Sequence, residues 1–310
     1  MDDARRTTAM WTMAVDAVTA EVASALEDAG VDSILLKGPS VAGWLYDDPA
    51  ERPYVDSDLL VDPTKLATAA ATLERHGFHR GFGPLPHPGM RAAPSYPWHR
   101  GESAVDLHET LPGSTADRRV VWAVLSAGRE WQTVGGRAVP VLSRPARLAH
   151  LALHASHHGP RVERPIADLR RALERASPEE WHAATKVADA IGAAAAFARG
   201  LALTPDGARL LPELGLEGRW SVEALLDADG VPLAAGLERL SATRGLRARS
   251  AVLRDELLPS AEFMRWWSPL ARRSSRGLAA SYPRRWLYLA ARLPSALRAW
   301  QRARAAVKRG

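Results

Sequence analysis

Between Ile34 and Val61 the chain reads ILLKGPSVAGWLYDDPAERPYVDSDLLV, and this stretch limits what the chain can fold into more than any other. The apolar run Val31 to Leu36 has the make-up of a short buried strand. Gly38-Pro39-Ser40 punctuates it as a turn, and one or two turns of helix follow. A second strand then carries Asp56 and Asp58 before the apolar residues Leu59, Leu60 and Val61. Strand side chains alternate faces with a period of two, so both carboxylates emerge on one side and Ser57 on the other. Like-charged neighbours repel, and such a pair persists where water or a cation screens it. Magnesium suits it, being a hard ion held by one or two carboxylates together with substrate phosphates.

The flanking sequence places this unit in an α+β fold. Residues 3–29 suit an amphipathic helix closed by Gly30. Asp62-Pro63-Thr64 opens a helix to about His76, ended by Gly77. Residues 79–101 are rich in Gly, Pro, His and Arg and predict a loop with one short strand. Ala104 to Leu111 alternates as a strand with Asp106 and His108 on one face, and Gly135-Gly136 predicts a hairpin between residues 131–134 and 137–142. From Ser143 onward the pattern is almost wholly helical, with segments expected near 143–158, 166–175, 181–203, 221–228, 232–243 and 245–257. Three regions are expected: a mixed α/β domain over 1–142, a helical domain over 143–262 and a basic aromatic helical tail over 263–310.

Four separated elements occur in order: Lys37-Gly38-Pro39-Ser40, Arg52, Asp56-Ser57-Asp58 and Asp106-Leu107-His108. Together they resemble the bacterial "uncharacterised nucleotidyltransferase" family of the DNA polymerase beta-like nucleotidyltransferase superfamily, over roughly residues 20 to 170. The resemblance implies a polymerase-beta-like mixed sheet with helices, followed by a mainly helical C-terminal region. It implies transfer of a nucleoside monophosphate from an NTP to an acceptor hydroxyl or phosphate, with release of pyrophosphate. Asp56 and Asp58 would be catalytic metal ligands and Asp106 the third, around two Mg²⁺ ions; such a pair stabilises both attacking and leaving oxygens of an in-line displacement. Family members carry Gly before the first Asp and an apolar residue between the two, where this chain has Val55 and Ser57. The alternative is therefore a catalytically degenerate nucleotide-binding or regulatory module on the same fold. The acceptor, whether protein, peptide, RNA or small molecule, is not specified.

Nucleotide binding would fall to Lys37, Gly38, Ser40 and Arg52. Gly38 and Ser40 can bring backbone N–H groups to a triphosphate at a helix start, although Pro39 has none to offer. Lys37 and Arg52 can neutralise phosphate charge, guanidinium being suited to bidentate recognition. The competing readings are a Lys37 stem packed at the strand end and an Arg52 paired with Asp47, Asp48 or Glu51.

His150, His154, His157 and His158 cluster on one predicted helix. Zinc would require a matching ligand nearby, for which Asp168 is the candidate, so structural histidines at a helix–loop junction are the favoured reading. A role for His154 facing the active site stays open.

The chain contains no cysteine, which excludes disulfides, thiolate metal sites and cysteine nucleophiles. It lacks the apolar core of a signal peptide and any run of 18 apolar residues, so the expected location is cytoplasmic, with peripheral membrane attachment as an addition. Charge is unevenly spread: residues 1–262 hold 29 Lys/Arg against 35 Asp/Glu, whereas residues 263–310 hold 12 Lys/Arg and no acid. Trp286, Leu289, Leu293, Leu297, Trp300 and Val307 can share a helical face in that tail. Such a basic amphipathic helix suits an anionic membrane surface or a nucleic acid; the competing reading packs it on the acidic body, with a kink at Pro294.

Overall fold

The computed structural model describes residues 2–81, 95–229 and 232–309. They form two compact units, one extending to residue 217 and the other from residue 218.

In the first unit, α1 (Asp2–Asp28), β1 (Ser33–Leu35), α2 (Pro39–Leu45), β2 (Asp56–Val61), α3 (Leu66–Arg75), β3 (His79–Arg80), β4 (Ser95–Arg100), β5 (Ser103–His108), α4 (Arg118–Ala127), β6 (Glu130–Val134) and β7 (Arg137–Val141) follow one another. Then come α5 (Arg144–His158), α6 (Glu163–Arg175), α7 (Pro178–Ala190), α8 (Ala194–Leu201) and α9 (Pro205–Leu210). Among the described residues seven strands make one mixed sheet in the order β3-β4-β5-β2-β1-β7-β6. β2 runs antiparallel to β1 and parallel to β5, and the hairpin β6–β7 joins the other edge of β1. The predicted loop at 79–101 lies partly outside the described residues; within them its ends are β3 and β4, which pair antiparallel.

The period-two pattern decides which face of the sheet is which. Leu59 and Val61 of β2, Val105 and Leu107 of β5, and Val139 and Val141 of β7 point into one apolar core with Val22 and Leu26 of α1 and Ala69 and Leu73 of α3. Each fully buried Leu or Val there contributes about 1.5–3 kcal/mol. The alternate positions of β2 and β5, namely Asp56, Asp58, Asp106 and His108, therefore face the opposite way. Ser57 belongs to the α1 side, where its hydroxyl bonds the Thr19 hydroxyl, which itself donates to Val15 O at 2.8 Å. That pairing explains how a polar residue is tolerated in a strand position that is otherwise apolar.

Helix starts follow their caps. Ser177 and Glu180 form a reciprocal capping box at α7, with the Ser177 N–H donating to Glu180 Oε2 at 2.9 Å. The helix predicted over 181–203 is two helices, because Gly192 takes φ 66 and its carbonyl accepts from Thr115 Oγ1 at 2.8 Å.

The second unit contains α10 (Val222–Asp229), α11 (Pro232–Ala242), α12 (Leu246–Leu257), α13 (Ala261–Trp267), α14 (Pro269–Arg273) and α15 (Ser275–Val307). Phe263, Met264 and Ala271 form one small core with Trp266, Trp267, Leu278 and Tyr282. Leu226, Ala234, Ala296, Ala299 and Ala303 form another, against Leu233, Leu237 and Trp300. α15 runs as one helix through both Pro283 and Pro294. Pro294 frees the carbonyl of Ala290, which is exposed, so water can satisfy it.

Candidate active site

Parallel pairing of β2 with β5 sets Asp58 opposite Asp106, Asp56 opposite Ala104 and Leu60 opposite His108. Asp58, Asp106 and His108 each present a ligand atom within 4.8 Å of the others. Asp58 Oδ1 lies 2.9 Å from His108 Nε2 and 2.8 Å from Lys37 Nζ. Ser95 of β4 donates to Asp106 Oδ2 at 3.2 Å. Asp58 is 3% exposed, whereas Asp106 is half-buried and open to a ligand.

These neighbours push the two β2 carboxyls in opposite directions. Burial acts to raise the Asp58 pKa, but the His108 hydrogen bond and the Lys37 charge outweigh it, and the group is held below the ordinary carboxylate range. Asp56 is raised, first by burial and then by the charge of Asp58, with Asp106 adding to the repulsion. One strand thus carries a fixed anion and a carboxyl that resists ionising while no further cation screens it.

The turn before α2 is built around Gly38, whose φ of 65 is a left-handed conformation that favours glycine. A Cβ there would also sit 3.4 Å from the Tyr54 ring. Ser40 is fully buried, and its hydroxyl donates to Lys37 O at 3.1 Å, so the side chain braces the turn. Lys37 leaves the end of β1 directly toward Asp58, with its side chain 20% exposed.

Arg52 goes elsewhere. Its Nε and Nη2 donate to Asp168 of α6 at 2.9 and 2.7 Å, and Tyr46 O–H donates to the same carboxylate at 2.7 Å. Arg52 is 4% exposed and Asp168 fully buried. The partners weighed from sequence, Asp47 and Glu51, instead meet Arg175 and Arg171.

α5 adds a row of histidines, of which sequence reasoning kept only His154 open as a residue facing the site. His150, His154 and His158 stack along one helix face, with ring centroids 6.0 and 4.4 Å apart, and His157 lies 5.1 Å from His158. Burial of His150, with Lys37 adding to it, pushes its pKa down to about 3. His154 is held well below the ordinary histidine value by burial and then by Lys37. Burial lowers His157 and His158 as well, and Asp58 is close enough to His150, His154 and His158 to oppose the shift. The ladder is a set of neutral imidazoles beside the Lys37–Asp58 pair. Its signal in the sequence was the i, i+4, i+8 spacing.

The donor set, two carboxylates and an imidazole within 4.8 Å of one another, fits a divalent cation by type; here Asp58 Oδ1 and His108 Nε2 share a hydrogen bond at 2.9 Å. The Lys37 ammonium shows that Asp58 Oδ1 already presents itself to positive charge. Nδ1 of His108 is buried and without a hydrogen-bond partner among the described residues.

Residues 1–206 match the family of uncharacterised nucleotidyltransferases. The chain belongs to that family. An antigenic nucleotidyltransferase-like protein from Paracoccidioides brasiliensis is similar at 20% identity, covering 58% of this chain and 92% of that one, with a TM-score of 0.37. The antibiotic-resistance factor ANT(2'')-Ia is similar at 15% identity, covering 60% of this chain and 91% of that one, with a TM-score of 0.38. No curated protein matches the chain. Within the nucleotidyltransferase family match lie all four sequence elements, the α5 histidines and Asp168.

Proposed function

We propose that this nucleotidyltransferase-family chain moves a nucleoside monophosphate from an NTP to an acceptor hydroxyl or phosphate, in a reaction dependent on Mg²⁺. The observation carrying the proposal is the register that sets Asp58 beside Asp106, with His108 on the same face. Asp58, Asp106 and His108 would hold a divalent cation, and Asp56, on the same strand face, is the remaining carboxylate for a second. Bound divalent cations would supply charge neutralisation at the attacking and leaving oxygens.

The chain's own residues supply the rest. Lys37 places an ammonium at the phosphate-facing end of β1, and the Gly38 turn lets a phosphate approach the backbone closely. The acceptor oxygen forms its new bond to the α-phosphorus as the bond to pyrophosphate breaks, and the partly exposed Asp106 carboxylate is placed to take the acceptor proton. In this reading Arg52 serves the fold rather than phosphate, its guanidinium being bonded to Asp168. Ser57 sits on the other face of β2 and leaves the metal side untouched, which favours an active site over a degenerate one.

Titration of Mn²⁺ followed by electron paramagnetic resonance, with and without ATP or another NTP, tests the reading. The wild type should bind Mn²⁺ with nitrogen hyperfine coupling from His108, and the cation should raise NTP affinity. Wild-type affinity for both in an Asp58→Asn, Asp106→Asn double variant would remove the basis of the proposal.

A further inference from the structure

α15 crosses the second unit between its two small cores and leaves its middle uncovered. Trp286, Leu287, Tyr288 and Leu293 are 44%, 73%, 40% and 40% exposed. At 100° per residue, Trp286, Leu289, Ala290, Leu293, Pro294 and Leu297 share one arc with Leu287 at its margin, and between residues 284 and 298 no charged residue falls in that arc. The face buried in the unit, through Arg285, Ala296, Ala299 and Ala303, adjoins that arc and is centred about 110° round the helix from it. A solvent-facing helical arc is ordinarily polar. Here it is apolar, and exposed Arg284 and Arg298 border it, while Arg292 lies over the Tyr288 ring at 4.5 Å.

α12 extends the patch. The Trp286 indole N–H donates to Leu257 O at 2.7 Å, which fixes the ring against the end of α12, where Leu257 and Leu258 are 39% and 56% exposed. Residues 263–310 hold 12 Lys/Arg and no acid, and the two acids before Leu257 are paired, Asp255 with Arg254 and Glu256 with Arg239 and Arg285. The other tail aromatics are spent inside the unit, Trp266 and Trp267 in one core and Trp300 through its indole N–H to Glu238 at 2.6 Å.

We infer that the exposed arc of α15, with Leu257 and Leu258 of α12, is a docking surface for an anionic lipid bilayer. Large aliphatic side chains flanked by arginines, with an indole at the boundary, match the depth profile of a membrane interface, where acyl chains meet anionic headgroups. The most exposed of these side chains, Leu287, offers no stacking face to nucleic-acid bases, and the Tyr288 ring is already covered by Arg292. Among the described residues no helix is long and apolar enough to cross a membrane, so attachment is at the surface.

Flotation of the full chain with phosphatidylcholine vesicles, with and without phosphatidylserine, tests this surface. The wild type should float with the anionic vesicles, and a Leu287→Asp, Leu293→Asp double variant should lose binding by about tenfold or more. Both leucines are exposed, so the variant should unfold at the wild-type temperature. Arg284→Gln with Arg298→Gln should weaken binding, and high salt should reduce but not abolish it, because the apolar contribution is not screened. Absence of flotation, or flotation unchanged by the leucine variant, overturns the inference. So does single-stranded RNA binding of equal strength that disappears in high salt, or a dimer that the leucine variant dissociates without any vesicle binding.

Discussion

Asp58 and Asp106 are Cα partners across the parallel pairing of β2 and β5, so two carboxylates from distant parts of the sequence stand side by side on one face of the sheet. Lys37 and His108 both lean on Asp58, and Ser95 donates to Asp106. Placing like charges together costs free energy unless a cation screens them. Asp106→Asn removes one of those charges while keeping the shape. It is expected to raise the stability of the cation-free protein by up to about 1 kcal/mol and to weaken Mn²⁺ binding at least about tenfold, as loss of a directly coordinating charge would. Denaturant unfolding with and without Mn²⁺ checks both halves; a variant that is less stable and binds Mn²⁺ normally contradicts them.

The Arg52–Asp168 pair is the buried tie between the segment leading into β2 and α6. Removing one member of a buried, hydrogen-bonded ion pair strands the other, at a cost of about 3–5 kcal/mol. Asp168→Ala and Arg52→Ala should each lose that much in urea unfolding, with similar midpoints. If Arg52→Ala keeps wild-type stability and instead loses NTP affinity, the guanidinium serves phosphate after all.

Much of this architecture was legible from residues alone, and the parts that were not share a cause. The β1–turn–α2–β2 unit, the β6–β7 hairpin and the shared face of Asp106 and His108 follow from local periodicity and turn chemistry. The facing of Asp58 and Asp106 needs the parallel pairing of β2 with β5, which no local pattern supplies. The partner of Arg52 was not legible because Asp168 is 116 residues away, and nothing within reach of β2 in the sequence marks it. The same applies to the α5 histidines: their spacing showed a common face, but only the tertiary packing shows that Lys37 and Asp58 lie close to it. The split of the 181–203 segment was foreshadowed by Gly192.

The histidine ladder gives a stability profile with a definite sign. His150 and His154 titrate lower in the folded chain than the ordinary histidine value of 6.5, through burial and then Lys37. Below that value the unfolded chain takes up protons that the fold refuses, so stability falls with decreasing pH. The window for His150 runs from 6.5 down to about 3, and each titrating histidine contributes a slope of up to about 1.4 kcal/mol per pH unit. Urea unfolding between pH 7 and 5 should show the loss, and His150→Gln should flatten it. A stability independent of pH over that range contradicts the burial of neutral imidazoles.

The central claim is nucleotidyl transfer at the Asp58–Asp106 site, and the position of the label in the product tests it most directly. Purified protein is incubated with cell extract, Mg²⁺ and each NTP labelled in turn at the α- or the γ-phosphate. The account predicts that label from the α-position enters an acceptor, that label from the γ-position leaves as pyrophosphate, and that Asp58→Asn and Asp106→Asn abolish the transfer. Transfer of the γ-label instead, or α-label transfer that survives both substitutions, would contradict it.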